Sequence, residues 1–100
     1  MIQGVVCLCS RGLVHSRTIK SLWRELPAEW ELLTTDDLPI PDAQTTITEQ
    51  ALSLDPQFLW YVEEDMGLPE GILAAMMSAG EPVVPANYPL VWFHPELKRW

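Results

Sequence analysis

The sequence predicts an α/β protein: a mostly parallel sheet with helices on both faces, three layers in the order α-β-α. Three observations carry this. Two continuous apolar runs, Val5–Cys9 and Phe58–Val62, have the length and the β-branched and aromatic content of strands buried on both faces. Helical periodicity appears between such runs. Strands alternating with helices imply crossover connections, which make neighbouring strands parallel.

The chain is 100 residues long, one domain with a modest core. Its hydrophobic content of 48% argues against disorder. No apolar run approaches the roughly 20 residues of a membrane span, and the start, MIQGVVCLCSRG, lacks the features of a signal peptide; a cytoplasmic protein is expected. The net charge of −8 is unevenly spread: all 14 acids lie from Glu25 onward, while Arg11, Arg17, Lys20 and Arg24 precede them. This opposes a nucleic-acid partner, which would call for a broad basic surface.

In chain order, Ile2–Cys9 is the first strand and Ser10-Arg11-Gly12 the loop that ends it. Cys7 and Cys9 share one strand face as buried thiols; their separation opposes a disulfide, and no zinc-site spacing brings in His15 or His94. A helix is expected from about Val14 to Leu26, with Ile19, Leu22, Trp23 and Leu26 as its apolar stripe and Pro27 ending it. Trp30–Thr35 is the second strand, followed by Asp36 and Asp37. Leu38–Pro41 reads as a connector. The next helix is capped by Asp42 or Thr46 and runs to about Leu54, with Ile47, Ala51 and Leu54 on one face. After the Asp55-Pro56 turn comes the third strand, Gln57–Glu64. Pro69 is placed at the first position of a further helix, with Ile72, Leu73, Met76 and Met77 buried and Gly80 capping its end. Pro82–Ala86 is a short fourth strand or sheet edge. Leu90–Phe93 is a further apolar run that could form a strand, leading into an irregular tail over about 91–100 that ends on Trp100.

The chain lacks G-x-G-x-x-G, a phosphate loop and G-x-S-x-G. Ser10, Ser16 and His15 are near in sequence, which does not make a triad. The strongest chemical signal is Glu63-Glu64-Asp65, three acids at the end of a buried strand. Ligands in open α/β sheets sit beyond the carboxyl ends of the strands. Carboxylates crowded there repel unless a cation offsets them. Along an extended strand end, Glu63 and Asp65 point one way and Glu64 the other, so two carboxylates can hold a divalent ion while a ligand's phosphates complete its shell. The residues equally allow a solvated acidic turn ahead of a helix.

The stretch FLWYVEEDMGLPEGILAAMMSAGEPVVPANYPL resembles the strand–acid–helix unit of metal-dependent glycosyltransferases of the GT-A, nucleotide-diphospho-sugar transferase kind, typified by family two. Glu63-Glu64-Asp65 matches the family's Asp-x-Asp-type motif with Glu in the first place. VVCLCSRG and the helix containing KSLWREL look like the family's first strand, loop and helix, and the resemblance covers roughly residues 2–90. It implies that Asp65 binds Mn²⁺ or Mg²⁺ at the diphosphate of a UDP- or GDP-sugar, with Glu63 contacting the metal, ribose or sugar. It implies that Ser10, Arg11, Gly12 and Glu64 line the nucleotide-sugar pocket, with Asp36 or Asp37 at the base. Gln44 or Thr45 falls where many members line that pocket, although the usual Arg-Asn pair is not here.

Members of the family continue well beyond this length. Residues 1–100 are therefore expected to be a donor-binding half, a fragment or one part of a split enzyme, with no assignable catalytic base and an unknown acceptor. Half of a larger sheet would expose apolar surface, so a homodimer or a second protein chain is expected. Two other functions fit the sequence. One is a non-enzymatic interaction module whose tail, 91–93 with Trp100, docks a partner that completes the sheet. The other is a metal-dependent phosphotransfer domain using Asp65.

Overall fold

The computed structural model describes residues 2–36 and 38–83. The elements run β1 (Gly4–Cys9), α1 (Ser16–Glu25), β2 (Trp30–Thr35), α2 (Ile40–Leu52), β3 (Phe58–Glu63) and α3 (Ile72–Ser78). The alternation expected from the sequence is present, and the three strands form one parallel sheet in the order β2-β1-β3. Residues 2–14 and 27–64 make one compact unit, and residues 15–26 and 65–83 belong to another.

The first unit holds the sheet and α2. Gly4 of β1 lies opposite Trp30 and Phe58, and Cys9 lies opposite Thr35 and Glu63. Hydrogen-bonded on both sides, β1 is the strand that its unbroken apolar run predicts: Val5, Val6, Cys7 and Leu8 are all buried. One sheet face carries Val5 and Cys7, which pack with Ile47 and Ala51 of α2; Cys9, Leu33 and Leu59 border this cluster. Burial pushes the Cys7 thiol up to about 11, with Cys9 beside it adding to the effect; both thiols are free, Cys7 buried as expected and Cys9 half-buried.

The amino end of the sheet is closed by aromatic rings. The Trp30 indole crosses over Gly4 to stack on Phe58, 6.3 Å between centroids and 5° between planes, and meets Trp60 edge-on. Its Nε1–H donates to the Gln3 side chain at 3.0 Å. A Cβ on Gly4 would stand 2.5 Å from the indole, so only glycine lets the ring span β1 here.

Three expectations for this unit are corrected. β3 is not buried on both faces: Trp60 and Val62 are buried, while Phe58, Tyr61 and Glu63 are exposed. It is an outer strand among the described residues, and its bulky aromatics hide a two-residue alternation. α2 begins at Ile40, ahead of both expected caps, with Pro39 at its N-cap and Pro41 in its first turn, where a missing N–H costs nothing. Leu54 lies beyond its end; Ala43, Ile47 and Ala51 make the buried stripe.

The second unit holds α1 and α3. α1 starts at Ser16, with His15 as N-cap accepting from the Arg17 N–H at 3.1 Å. Its expected stripe is rotated. Thr18, Ser21 and Leu22 are buried, whereas Trp23 is 82% exposed and Ile19 37% exposed. Hydrogen bonds explain why small polar residues displace apolar ones. The Ser21 hydroxyl donates back to the Arg17 carbonyl at 2.7 Å and accepts from the Leu68 N–H at 3.2 Å. Arg24 Nη2 donates to the Leu68 carbonyl at 2.7 Å. Both backbone groups of buried Leu68 are thereby satisfied.

α3 begins at Ile72, not at Pro69, which sits in the turn before it and accepts from the Ile72 N–H. Of its expected stripe only Leu73 is fully buried, with Ile72, Met76 and Met77 half-buried. Gly80 follows the helix at a φ of +72°, as expected of the glycine after a C-cap. In the proposed fourth strand, Pro82 and Val83 form a bend; residues 84–86, the 90–93 run and Trp100 lie outside the described residues.

Candidate functional site

In the order β2-β1-β3, the chain passes from β1 to one side and then returns to the other. The carboxyl ends of β1 and β3 therefore lie side by side, and beyond such ends a parallel sheet offers a ligand room. The carboxyl ends of these strands carry Ser10-Arg11-Gly12 and Glu63-Glu64. Sequence reading gathered these residues as candidates without pairing any of them.

The loop after β1 folds around the Glu64 carboxylate. The Arg11 backbone N–H donates to Glu64 Oε2 at 3.0 Å, the Ser10 hydroxyl to the same oxygen at 3.2 Å, and Arg11 Nε to Oε1 at 3.4 Å. The Gly12 N–H donates to Ser10 Oγ at 3.0 Å, which orients the hydroxyl. Gly12 adopts a φ of +111°, a conformation suited to glycine that turns successive N–H groups inward. Ser10 is buried, and its own N–H donates to the Thr35 carbonyl at 3.2 Å, tying the loop to β2. The Arg11 N–H, opposed by partial burial and helped by Ser10 and the guanidinium, holds the Glu64 carboxyl below the usual carboxylate range. The result is a small anion grip built from one N–H, one hydroxyl and one guanidinium.

The other candidates are placed differently. Glu63 closes β3 and is exposed; the strand ends there, so Glu64 and Asp65 stand in a turn and strand alternation does not govern their directions. Asp65 is half-buried at the start of the second unit's 65–83 segment. Asp36 is exposed after β2, and Asp37 lies outside the described residues. Gln44 and Thr45 are exposed on α2, where the Thr45 hydroxyl donates to the Pro41 carbonyl. Among the described residues no three His, Cys, Asp or Glu side chains group to hold a metal ion. Both Glu64 oxygens are already engaged, so protein donors alone do not build a cation cage, and any ion would depend on oxygens brought by a ligand.

One further feature escaped sequence reading. The Thr35 side-chain oxygen is buried without a hydrogen-bond partner at the same end of the sheet. No sequence signal separates it from Thr34, which is exposed. Among the described residues no helix is long and apolar enough to cross a membrane. Comparison with protein-family models, with curated proteins and with solved structures finds no match to this chain.

Proposed function

We propose that the chain is a donor-binding domain of the nucleotide-diphospho-sugar transferase kind, a truncated GT-A-like, three-layer α-β-α unit acting in the cytoplasm. One observation carries the reading: at the carboxyl ends of two adjacent parallel strands, the loop after β1 converges on the acid segment after β3 and there holds a carboxylate. A sugar nucleotide presents a diphosphate, and the loop's donors are the kind that recognise phosphate oxygens.

In this reading the Arg11 guanidinium, the Arg11 N–H and the Ser10 hydroxyl position the diphosphate, while the Gly12 N–H, bonded to Ser10 Oγ, fixes the loop's shape. Asp36 and Asp37 are the candidates for the base, and Asp65 with Glu63 for Mn²⁺ or Mg²⁺ bound together with the ligand's phosphates. Such an ion would stabilise charge on the departing nucleoside diphosphate. The acceptor, and the group that deprotonates it, are assigned to no residue of this chain. Calorimetry with UDP- and GDP-sugars, with and without Mn²⁺, tests the proposal. Metal-dependent binding that Asp65→Ala abolishes is the expected result, and no binding under any condition refutes it.

The exposure of Phe58 and Tyr61 on an outer strand favours a second reading, an interaction module completed by a partner chain or a second copy. Sedimentation of the purified chain separates the two: a monomer that binds a sugar nucleotide supports the first, a stable assembly without such binding the second.

A further inference from the structure

The Glu64 carboxylate lies where the proposed ligand's phosphate would be received. Its oxygens take the Arg11 N–H, the Ser10 hydroxyl and the Arg11 Nε. A carboxylate and a phosphoryl group present similar oxygens to such donors, and the donors cannot serve both at once. The grip is also accessible: the Arg11 side chain is 78% exposed and that of Glu64 22%. An ion pair whose arginine is this exposed contributes little to stability.

We infer that Glu64 is an internal stand-in for the ligand, a latch that occupies the 10–12 loop until a phosphoryl group displaces its carboxylate. This rests on the reading of that loop as the ligand's anion site, and it adds that the empty loop is held in its binding shape by the chain's own acid. Two consequences follow. The loop does not have to order when the ligand arrives, because Glu64 has kept it ordered. The ligand's apparent affinity is lowered by competition with a tethered carboxylate, which acts at high effective concentration.

Inorganic pyrophosphate, titrated in excess EDTA and followed by amide NMR, tests the latch without a sugar, a base or a metal. Glu64→Ala should bind pyrophosphate at least about tenfold more tightly than the unsubstituted chain, with shifts centred on the Arg11 and Gly12 amides. Adding Arg11→Ala to that variant should remove the gain. Glu64→Gln, which keeps the side chain's shape, should show a smaller gain and decides the matter where Glu64→Ala does not fold. Affinity equal to or weaker than that of the unsubstituted chain overturns the latch. So does a gain that survives Arg11→Ala, or the failure of both Glu64 variants to fold, since the carboxylate would then be structural. A gain with pyrophosphate beside no binding of any sugar nucleotide would leave the latch standing and remove only the sugar-nucleotide reading.

Discussion

Each unit holds a carboxylate in the grip of backbone N–H donation and an arginine: Glu64 in the first, Glu25 in the second. Glu25 accepts from the Gly71 N–H at 3.2 Å, the Leu73 N–H at 3.4 Å and Arg24 Nε at 3.1 Å. It thereby caps α3, whose own N-cap residue is Gly71 at a φ of +80° with no side chain to offer. The Glu25 side chain is 7% exposed, against 22% for Glu64, and Arg24 is 44% exposed against 78% for Arg11. Arg24 is further tied to the Leu68 carbonyl. Similar donors therefore do two jobs: a backbone N–H and an arginine serve both acids, with a second N–H at Glu25 and the Ser10 hydroxyl at Glu64. A shielded carboxylate that satisfies helix N–H groups is a fixed part of the fold, and an open one on a loop at the sheet's carboxyl end is exchangeable. Burial separates the two.

The comparison is sharpest in their deletion. Glu25→Ala leaves the Gly71 and Leu73 N–H groups without their acceptor and should cost about 2 kcal/mol of stability, measured by urea unfolding. A loss no larger than that of Glu64→Ala would break the distinction. Acid should act through Glu25 in the same sense. Burial alone would raise its carboxyl pKa, but the Gly71 and Leu73 N–H groups and Arg24 outweigh burial and set it below the usual value. A group whose folded pKa is depressed contributes stability that is present above the unfolded value, about 4.3 for glutamate, and lost as pH falls through the folded value. Unfolding midpoints followed from neutral pH into that acidic range should fall less steeply in Glu25→Gln than in the unsubstituted chain.

The arginines should differ less than the acids. Arg24→Ala removes donors to both Glu25 and the Leu68 carbonyl and should cost about 1 kcal/mol, whereas Arg11→Ala should stay within about 0.5 kcal/mol because its pair is exposed. Glu64→Ala should also cost only about 1 kcal/mol or less of stability, with its main effect on anion binding. A Glu64→Ala loss matching that of Glu25→Ala would return both carboxylates to one structural class.

Much of the fold was legible in the chain because burial writes itself into apolar runs. β1 reads directly as the doubly buried central strand. Phe58–Val62 reads the same way and is not, because Phe and Tyr score as apolar at positions, Phe58 and Tyr61, that the strand leaves exposed. α1 misleads through Trp23, whose position in the helical period suits a core that Thr18 and Ser21 occupy instead; their places depend on hydrogen bonds to residues that the sequence does not pair with them. The candidate site was legible as composition and not as contacts. Ser10, Arg11 and Glu64 each stood out, yet the bonds between them cross 53 or 54 positions, and the Glu25 cap crosses 46 to 48. No local spacing rule reaches that far. Taking Glu64 as a ligand contact missed that the loop expected to bind the ligand holds Glu64 first.

The central claim, that the loop after β1 receives a phosphate-bearing ligand at the carboxyl end of the sheet, is tested most directly by amide NMR of the whole chain titrated with a UDP-sugar and a GDP-sugar in the presence of Mg²⁺. Saturable shifts centred on Arg11, Gly12 and Glu64, with the Glu25, Gly71 and Leu73 amides unmoved, are the predicted result. Shifts confined to other residues, or none at millimolar ligand, would contradict it.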